Sequence, residues 1–315
     1  MRVVIMCVYS AGVQCLEELV AQGEEVVGVV SWINGSYCGR PLPPEVSVVD
    51  AAYRLYLPLY QPRPEEINQP RFVEVLRRLR PDLIMSAFWG TIFSREILAI
   101  PPLGCINIHP SRLPEGRGIT PNPWPIVRGH DRAWQTLHYL DPGVDTGDIV
   151  CQGYTDVLPE DTGWTLTLKL GLVARQLLAE ALPLIRAGKA PRQPQDSSKA
   201  TRFYRRTWTR EVDWRASARD VHNMVRAWTP SPIETGAYTH LGGRQVTLVR
   251  SRVLPPEEQV PGPGAVPGEL VATRGDGLVV QTGEGQVVIQ DLRVEGAGLD
   301  LPGLRGRVIF GPKAA

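Results

Sequence analysis

The sequence has no C-x-x-C pair, and its cysteines are scattered along the chain. This spacing excludes the usual ligand pattern of a zinc site and the paired framework of a small disulfide-rich protein. We therefore expect reduced thiols that pack mostly as small apolar side chains. The five cysteines are Cys7, Cys15, Cys38, Cys105 and Cys151. The five histidines also lack H-x-x-x-H spacing, so no metal site is predicted.

Long apolar runs are absent too, since no stretch approaches the roughly 18 residues that a membrane-spanning helix needs. The apolar run after Arg2 is short and has no small-residue cleavage site. The formal net charge is only +1, which indicates no strongly basic surface of the kind typical of nucleic-acid binding. We expect a globular protein with a cytoplasmic location and no membrane partner.

Short apolar runs alternate with helical patterns over the first half of the chain. The runs at 3–8, 26–30, 83–88, 105–109, 133–140 and 149–157 predict strands. Apolar spacing and proline positions predict helices at 12–21, 70–80, 94–100, 120–128 and 165–187. This order indicates the α/β class, with a doubly wound, mostly parallel sheet and helices on both faces. The loop after the first strand contains only Gly12, so a dinucleotide-binding G-x-G-x-x-G fingerprint is absent.

Composition changes at residues 189–200, which are polar, contain prolines and show no periodicity. Such a segment is typical of a linker. Beyond it, Ser217 and Asp220 are spaced as a helix cap, and short strand patterns separated by Pro and Gly predict a small barrel or sandwich. These strands are expected at 236–240, 245–253, 269–272, 277–281 and 286–294. The predicted domains are 1–188 and 201–315.

Polar side chains end the predicted strand at 105–109. Because side chains alternate along a strand, Asn107 and His109 share one face. Ligands of open parallel sheets bind at the carboxyl ends of the strands. Asp145 follows later between Gly143 and Gly147, which permit a tight turn and a close backbone approach. An amide donor, an imidazole and a carboxylate together suit acyl transfer to an amine. Asn107 and the imidazolium would stabilise the oxyanion, and His109 or Asp145 would take the proton from the attacking amine.

Other polar residues are weaker candidates. Ser111 could be read as a nucleophile, but a hydroxyl that caps the loop is the favoured interpretation. The remaining histidines are expected to be structural or surface residues, and they are His130, His138, His222 and His240.

Three short segments resemble the signature of the 10-formyltetrahydrofolate-dependent formyltransferases. They read NIHPSRLP at 107–114, GRG at 116–118 and GVDTGD at 143–148. The second half of the chain, with VDW at 212–214 and HNMVRA at 222–227, is similar to the C-terminal domain of longer members. The resemblance implies a Rossmann-like domain followed by an OB-like barrel, with Asn107, His109 and Asp145 catalytic. Arg112 departs from the family pattern, which has an apolar residue there. The departure leaves the catalytic interpretation intact, and its expected effect is on the entrance to the site.

The same resemblance implies N10-formyltetrahydrofolate as cosubstrate, with no metal. The family binds the pterin through backbone groups that correspond to 86–92 and 141–144. Phe88 and Trp89 are suitable apolar walls. The candidate cofactor-binding residues are Ser86, Phe88, Trp89, Gly90, Ile92, Asp141, Gly143 and Val144. Ser111 and Arg117 are the candidates for substrate binding, and Arg117 could meet an anionic group of the acceptor.

The acceptor is predicted from the loop at 31–44. The chain is most similar to the branches that act on UDP-4-amino-4-deoxy-L-arabinose and on methionyl-tRNA, and tRNA-acting members have a basic insertion in this loop. Here its one basic residue is Arg40. We therefore favour a nucleotide-linked aminosugar, with methionyl-tRNA as the alternative. Hydrolysis of 10-formyltetrahydrofolate and noncatalytic folate binding are further alternatives, and the sequence does not indicate the oligomeric state.

Overall fold

The computed structural model describes residues 1–32, 42–119, 121–203, 209–232, 234–262, 264–294 and 308–311. The chain forms two compact units. The first comprises Met1–Asn122, Arg132–Asp156 and Thr165–Thr207, and the second comprises Pro123–Asp131, Val157–Trp164 and Trp208–Ala315. Two short segments from within residues 1–188 thus belong to the second unit. A division into 1–188 and 201–315 stays a prediction. No helix in the described ranges has the length and apolar composition to cross a membrane.

The first unit is built on a seven-stranded sheet. Its strands are β1 Arg2–Cys7, β2 Glu25–Val30, β3 Leu59–Tyr60, β4 Leu83–Ala87, β5 Cys105–His109, β7 Arg132–Tyr139 and β8 Ile149–Asp156. The short strand β6, Arg117–Gly118, lies outside this sheet. The sheet order is β3-β2-β1-β4-β5-β7-β8. The first five strands in this order run parallel, and β7 and β8 add an antiparallel edge. The predicted mostly parallel sheet is therefore confirmed.

Helices flank this sheet. They are α1 Tyr9–Ala21, α2 Val48–Arg54, α3 Pro70–Leu79, α4 Arg95–Leu98 and α6 Gly163–Arg186, whereas α5, Trp124–Val127, belongs to the second unit. The helix predicted at 120–128 is shorter than expected, and Thr120 lies outside the described residues. α3 begins with Pro70, whose fixed φ suits a first turn, and it ends before Arg80, whose φ is 46°.

Alternation along the strands gives the sheet two different faces. Buried residues such as Ile5, Met85 and Ile106 belong to a core that includes the apolar face of α6. α6 covers this face as far as the antiparallel edge, where the Gln135 amide donates to the Leu170 carbonyl at 3.0 Å. Asn107, one position along from Ile106, consequently lies on the opposite face.

The second unit contains a five-stranded antiparallel sheet in the order β10-β11-β14-β13-β12. Its strands are β10 Ala237–Leu241, β11 Arg244–Leu254, β12 Leu270–Arg274, β13 Gly277–Gln281 and β14 Gln286–Val294. Helix α7, Ala218–Ala227, packs against β11. Its first turn is capped as the spacing predicts, because Ser217 Oγ accepts from the Asp220 N–H at 3.2 Å. The smaller β-rich C-terminal domain is thus confirmed.

Candidate active site

Asn107 and His109 lie side by side at the carboxyl end of β5. They are 8% and 5% exposed, so both polar groups are held in a largely water-free environment. β5 pairs in parallel with β4, which places Ser86 beside Asn107, and in antiparallel with β7, which places His138 on its other side. Four neighbouring strand positions therefore present polar side chains on one face of the sheet.

The Asn107 amide is fixed from both ends. Its Oδ1 accepts from the Ser86 hydroxyl at 2.7 Å, and its Nδ2 lies 3.1 Å from His138 Nε2. His138 Nδ1 lies 2.8 Å from the Tyr139 carbonyl, so the tautomer that satisfies both contacts has its proton on Nδ1. Asn107 then donates one N–H to His138 and keeps the second for another acceptor.

His138 is neutral over most of the pH range. Its burial lowers its pKa to about 4, while the nearby Asp145 opposes this shift and His109 adds to it. The sequence suggested only a structural or surface role for this histidine. Its place beside Asn107 depends on the register between β5 and β7, which no local motif indicates.

His109 lies between a carbonyl and a carboxylate. Its Nε2 is 2.9 Å from the Gly116 carbonyl, so this nitrogen is the donor in the neutral ring. Its Nδ1 then holds the lone pair, and it lies 3.7 Å from Asp145 Oδ1. His138 Nε2 is also 3.7 Å from the same oxygen. The three groups form one cluster, and the two imidazole rings meet edge to face.

Asp145 reaches this cluster because the loop between β7 and β8 folds back over the sheet. Asp145 has a φ of 52°, in the left-handed region, and its Oδ2 accepts from the Gly118 N–H at 2.8 Å. Gly147 permits the fold, since a Cβ there would lie 2.0 Å from the Tyr139 carbonyl oxygen. The structure brings Asp145 to Asn107 and His109 as expected, although through an antiparallel strand.

A glutamine from the segment interpreted as a linker holds the same loop. Gln195 Nε2 donates to the carbonyls of Asp145 and Gly147 at 2.9 and 2.7 Å. Its Oε1 accepts from Arg117 Nε and Nη2 at 3.1 and 2.8 Å. Arg117 is only 3% exposed, so its guanidinium is directed inward onto Gln195. The sequence missed Gln195 because its surroundings are polar and aperiodic.

The segment after β4 contains four of the eight predicted cofactor-binding residues, and a fifth, Ser86, lies within β4. Phe88 has a φ of 56°, and the Trp89 ring stacks on Trp32 with centroids 4.1 Å apart. The turn is fixed by Asn68, which donates to the Ile92 carbonyl at 2.9 Å. Gly90 is exposed, and the Ile92 side chain is 58% exposed. The segment thus presents a flat aromatic surface and accessible backbone next to Ser86.

The second predicted cofactor-binding segment is stabilised by its own first residue. Asp141 Oδ1 accepts from the Gly143 N–H at 3.0 Å and from the Thr146 hydroxyl. Val144 projects from this turn with 36% of its side chain exposed. The Asp141 carboxylate therefore shapes the loop, and the backbone and Val144 are left facing outward.

Ser111 behaves differently from the capping role that the sequence favoured. Its backbone N–H donates to the His109 carbonyl at 2.9 Å. Its Oγ is buried and has no hydrogen-bond partner among the described residues. The hydroxyl is therefore an unused polar group two residues from His109.

Neither a reactive cysteine nor a group of metal ligands is found in this cluster among the described residues. Burial raises the pKa of the Cys105 thiol to about 12, so the thiol stays protonated. Within the described ranges, no group of three or more His, Cys, Asp and Glu side chains could hold a metal ion. Cys38 and Arg40 lie outside those ranges.

The sheet and the buried amide, imidazole and carboxylate at its strand end define an α/β enzyme. The chain belongs to the formyl transferase family: residues 5–182 match the family described as "Formyl transferase", and residues 206–298 match "Formyl transferase, C-terminal domain". The resemblance and the enzyme class predicted from the sequence are therefore confirmed.

Relatives and solved structures agree with this family. The methionyl-tRNA formyltransferase of Syntrophus aciditrophicus (strain SB) is 36% identical over 285 residues, which cover 89% of this chain and 87% of the relative. The methionyl-tRNA formyltransferase of Pelotomaculum thermopropionicum is 33% identical over 300 residues, which cover 94% of this chain and 92% of the relative. An N-formyltransferase from Helicobacter canadensis, solved with folinic acid and dTDP-3-aminofucose, has a TM-score of 0.64 at 15% identity, covering 92% of this chain and 99% of that chain. The last similarity shows the fold alone.

Proposed function

We propose that this enzyme transfers the formyl group of N10-formyltetrahydrofolate to the amino group of methionyl-tRNA. The acceptor is supported by two methionyl-tRNA formyltransferases that are at least 33% identical over nearly the whole length of both chains. These relatives favour the alternative over the aminosugar that the loop at 31–44 suggested. Residues 33–41 of that loop, with Arg40, lie outside the described residues.

The arrangement of Asn107, His109 and Asp145 is the observation that supports formyl transfer. When an amine attacks the formyl carbon, negative charge develops on the formyl oxygen. The second N–H of Asn107 is free of His138 and can donate to this oxygen. Because the amide is held at both ends and buried, it needs little reorganisation in the transition state.

His109 is proposed as the base. The attacking nitrogen must lose a proton, and His109 Nδ1 has the available lone pair while Nε2 donates to Gly116. Asp145 then stabilises the imidazolium across 3.7 Å. The same imidazolium can return the proton to the departing nitrogen of the folate, so one residue serves both half-reactions.

The folate is proposed to bind along the segments at 86–92 and 141–144. The stacked pair of Trp89 and Trp32 offers a flat apolar wall for a pterin. Trp89 Nε1 is buried and makes no hydrogen bond within the described residues, so it is an unused donor beside that wall. Ser86 offers a hydroxyl, the exposed Gly90 offers accessible backbone, and the exposed Val144 offers an apolar contact. These groups fit a flat ring with a polar edge.

A nucleotide-linked aminosugar is the second candidate acceptor. The structure solved with dTDP-3-aminofucose shares this fold over nearly its whole length, and an aminosugar presents the same nucleophile as an aminoacyl ester. The proposed roles of Asn107, His109 and Asp145 are identical for both acceptors. Only a product assay separates them.

The test supplies 10-formyltetrahydrofolate labelled in the formyl group, and each reaction contains one acceptor. The acceptors are methionyl-tRNA, uncharged tRNA, a UDP-linked or dTDP-linked aminosugar, and none. Mass analysis of formylmethionyl-tRNA as the labelled product would support the proposal. A formylated sugar without labelled tRNA would show that the acceptor is the aminosugar and not methionyl-tRNA. Formate released without acceptor would indicate a hydrolase. Folate binding with no product would indicate a noncatalytic module.

A further inference from the structure

Four side chains form a row in which two guanidinium groups lie over two aromatic rings that contact each other at a tilt. The Arg112 guanidinium lies 4.6 Å from the centre of the Trp134 ring, and the Trp134 and Tyr154 rings are 5.0 Å apart. The Arg132 guanidinium lies 4.2 Å from the centre of the Tyr154 ring. We call these four residues the arginine–aromatic row.

The row lies on the surface and its charges are largely uncompensated. Arg112 is exposed, Tyr154 is 45% exposed, and Trp134 is half-buried. The Arg112 guanidinium makes no hydrogen bond or ion pair with the described residues. Arg132 has one carboxylate nearby, Asp156 at 3.8 Å, and both side chains are more than half exposed, so this pair is weak.

The row continues the face of the sheet that bears the proposed catalytic residues. Thr136 is the register partner of His109, and Trp134, two positions earlier on β7, shares its face. Tyr154 on β8 is the register partner of Trp134. The loop that holds Arg112 is tied to the same strand, since the Thr136 hydroxyl donates to the Ser111 carbonyl at 2.7 Å. The row therefore lies on the same face of the sheet as His109, two strand positions from the register partner of His109.

We propose that the arginine–aromatic row binds the single-stranded 3′ end of the acceptor tRNA and directs it to His109. This inference rests on the proposed function. Proteins bind unpaired nucleotides by stacking bases on aromatic rings and by placing arginine on the phosphates, and a stacked guanidinium still has N–H groups free for an anion. Trp134 and Tyr154 supply the rings, and Arg112 and Arg132 supply the cations.

Arg112 is the member of the row at which this chain departs from the family pattern. The sequence showed arginine where the family pattern has an apolar residue, and the structure places that arginine over Trp134. An apolar side chain at 112 would cover the ring but would offer no charge. The departure thus adds a phosphate contact at the edge of the site.

The test compares steady-state kinetics with methionyl-tRNA for the wild type, Arg112→Leu and Trp134→Leu. Each variant is expected to raise the KM for methionyl-tRNA about fivefold to tenfold, with kcat and the KM for the folate unchanged. Arg112→Leu should also reduce the slope of log KM against log salt by about one. Trp134→Phe keeps a stacking ring and is expected to restore most of the affinity.

Arg78→Leu is the matched control, because Arg78 is exposed on α3 and its one ion pair with the described residues is with Glu74. Its KM should equal that of the wild type. If the wild type formylates methionyl-tRNA but Arg112→Leu and Trp134→Leu both keep a wild-type KM, the row does not bind tRNA. If the wild type itself gives no formylmethionyl-tRNA, the proposed function has failed instead. Thermal melting of each variant verifies that it is folded.

Discussion

The Nδ2 atom of Asn107 lies 3.1 Å from His138 Nε2, and this contact settles which end of the amide faces away from Ser86. His138 can accept this hydrogen bond because its own Nδ1 proton is donated to the Tyr139 carbonyl. A histidine without a proposed chemical step thus orients the group proposed to stabilise the oxyanion. The contact therefore directs the test to the N–H donor of Asn107, and not merely to the size of its side chain.

Asn107→Asp is expected to reduce kcat by about 10²–10³-fold, because the carboxylate has no N–H for the formyl oxygen. The side chain keeps nearly the same size, so the KM for the folate should change little. Steady-state kinetics measure both values. Ser86→Ala removes only the hydroxyl that Oδ1 accepts from, and its loss of kcat should be clearly smaller. Equal losses in the two variants would argue against a special role for the amide N–H.

His109→Ala and Asp145→Ala are each expected to abolish measurable transfer while leaving folate binding largely intact. The reason is that both residues are proposed to act on the proton and its counter-charge. Transfer is measured with labelled formyl groups, and folate binding is measured by calorimetry. Near-normal rates in either variant would refute the proposed site.

Gln195→Ala is expected to lower kcat about tenfold through the loss of support for the Asp145 loop. The change leaves two carbonyls and the buried Arg117 guanidinium without their shared partner. Because the change displaces the proposed counter-ion of His109, the pH profile of kcat should shift as well. Gln193→Ala is the control, since Gln193 contacts Ile149 only through backbone hydrogen bonds. An unchanged pH profile in Gln195→Ala would mean that this residue supports folding alone.

Glu234 is expected to make stability fall as pH rises. Burial raises the pKa of this carboxyl to about 7, against the opposing effect of Arg210. Between the unfolded value near 4.5 and 7, the folded state binds more protons than the unfolded state, so stability is highest at low pH and is lost as pH passes through 7. The loss is up to roughly 3 kcal/mol.

Thermal unfolding at pH 5 and pH 8 tests this expectation through the difference between variants. Glu234→Gln should lose less stability than the wild type over this interval, because the titrating carboxyl is gone. Glu257→Gln, an exposed change in the same unit, should follow the wild type. If Glu234→Gln and the wild type show the same pH dependence, the carboxyl does not titrate in the folded state near pH 7.

Local pattern was sufficient for part of the site. Alternation alone placed Asn107 and His109 on one face of β5, because a strand's side-chain directions depend only on its own backbone. His138 and Gln195 could not be found in this way. His138 reaches Asn107 through the antiparallel register of β7, and Gln195 reaches Asp145 from 50 residues further along the chain. Such contacts arise from tertiary packing, which leaves no periodic trace in the sequence.

The fold, like the site, has features that local pattern predicts and features that depend on tertiary packing. Apolar periodicity identified α3, α6 and the strands of both sheets except the two-residue β3, since each longer element buries one side of itself. Periodicity does not show which unit a short segment joins. Pro123–Asp131 and Val157–Trp164 belong with the second unit although both lie within the predicted N-terminal domain, residues 1–188. That assignment depends on contacts between residues far apart in the chain.

Because Gln195 bonds to the carbonyls of Asp145 and Gly147, shortening the chain to its seven-stranded sheet would remove contacts that hold the Asp145 loop. A fragment ending at residue 188 would contain all seven strands, yet it would lack Gln195 and the short strand β9, Arg202–Phe203, that pairs with β6. Both missing pieces hold the peptide that positions Asp145. We therefore expect an active fragment to extend at least to Phe203, beyond the last strand of the seven-stranded sheet.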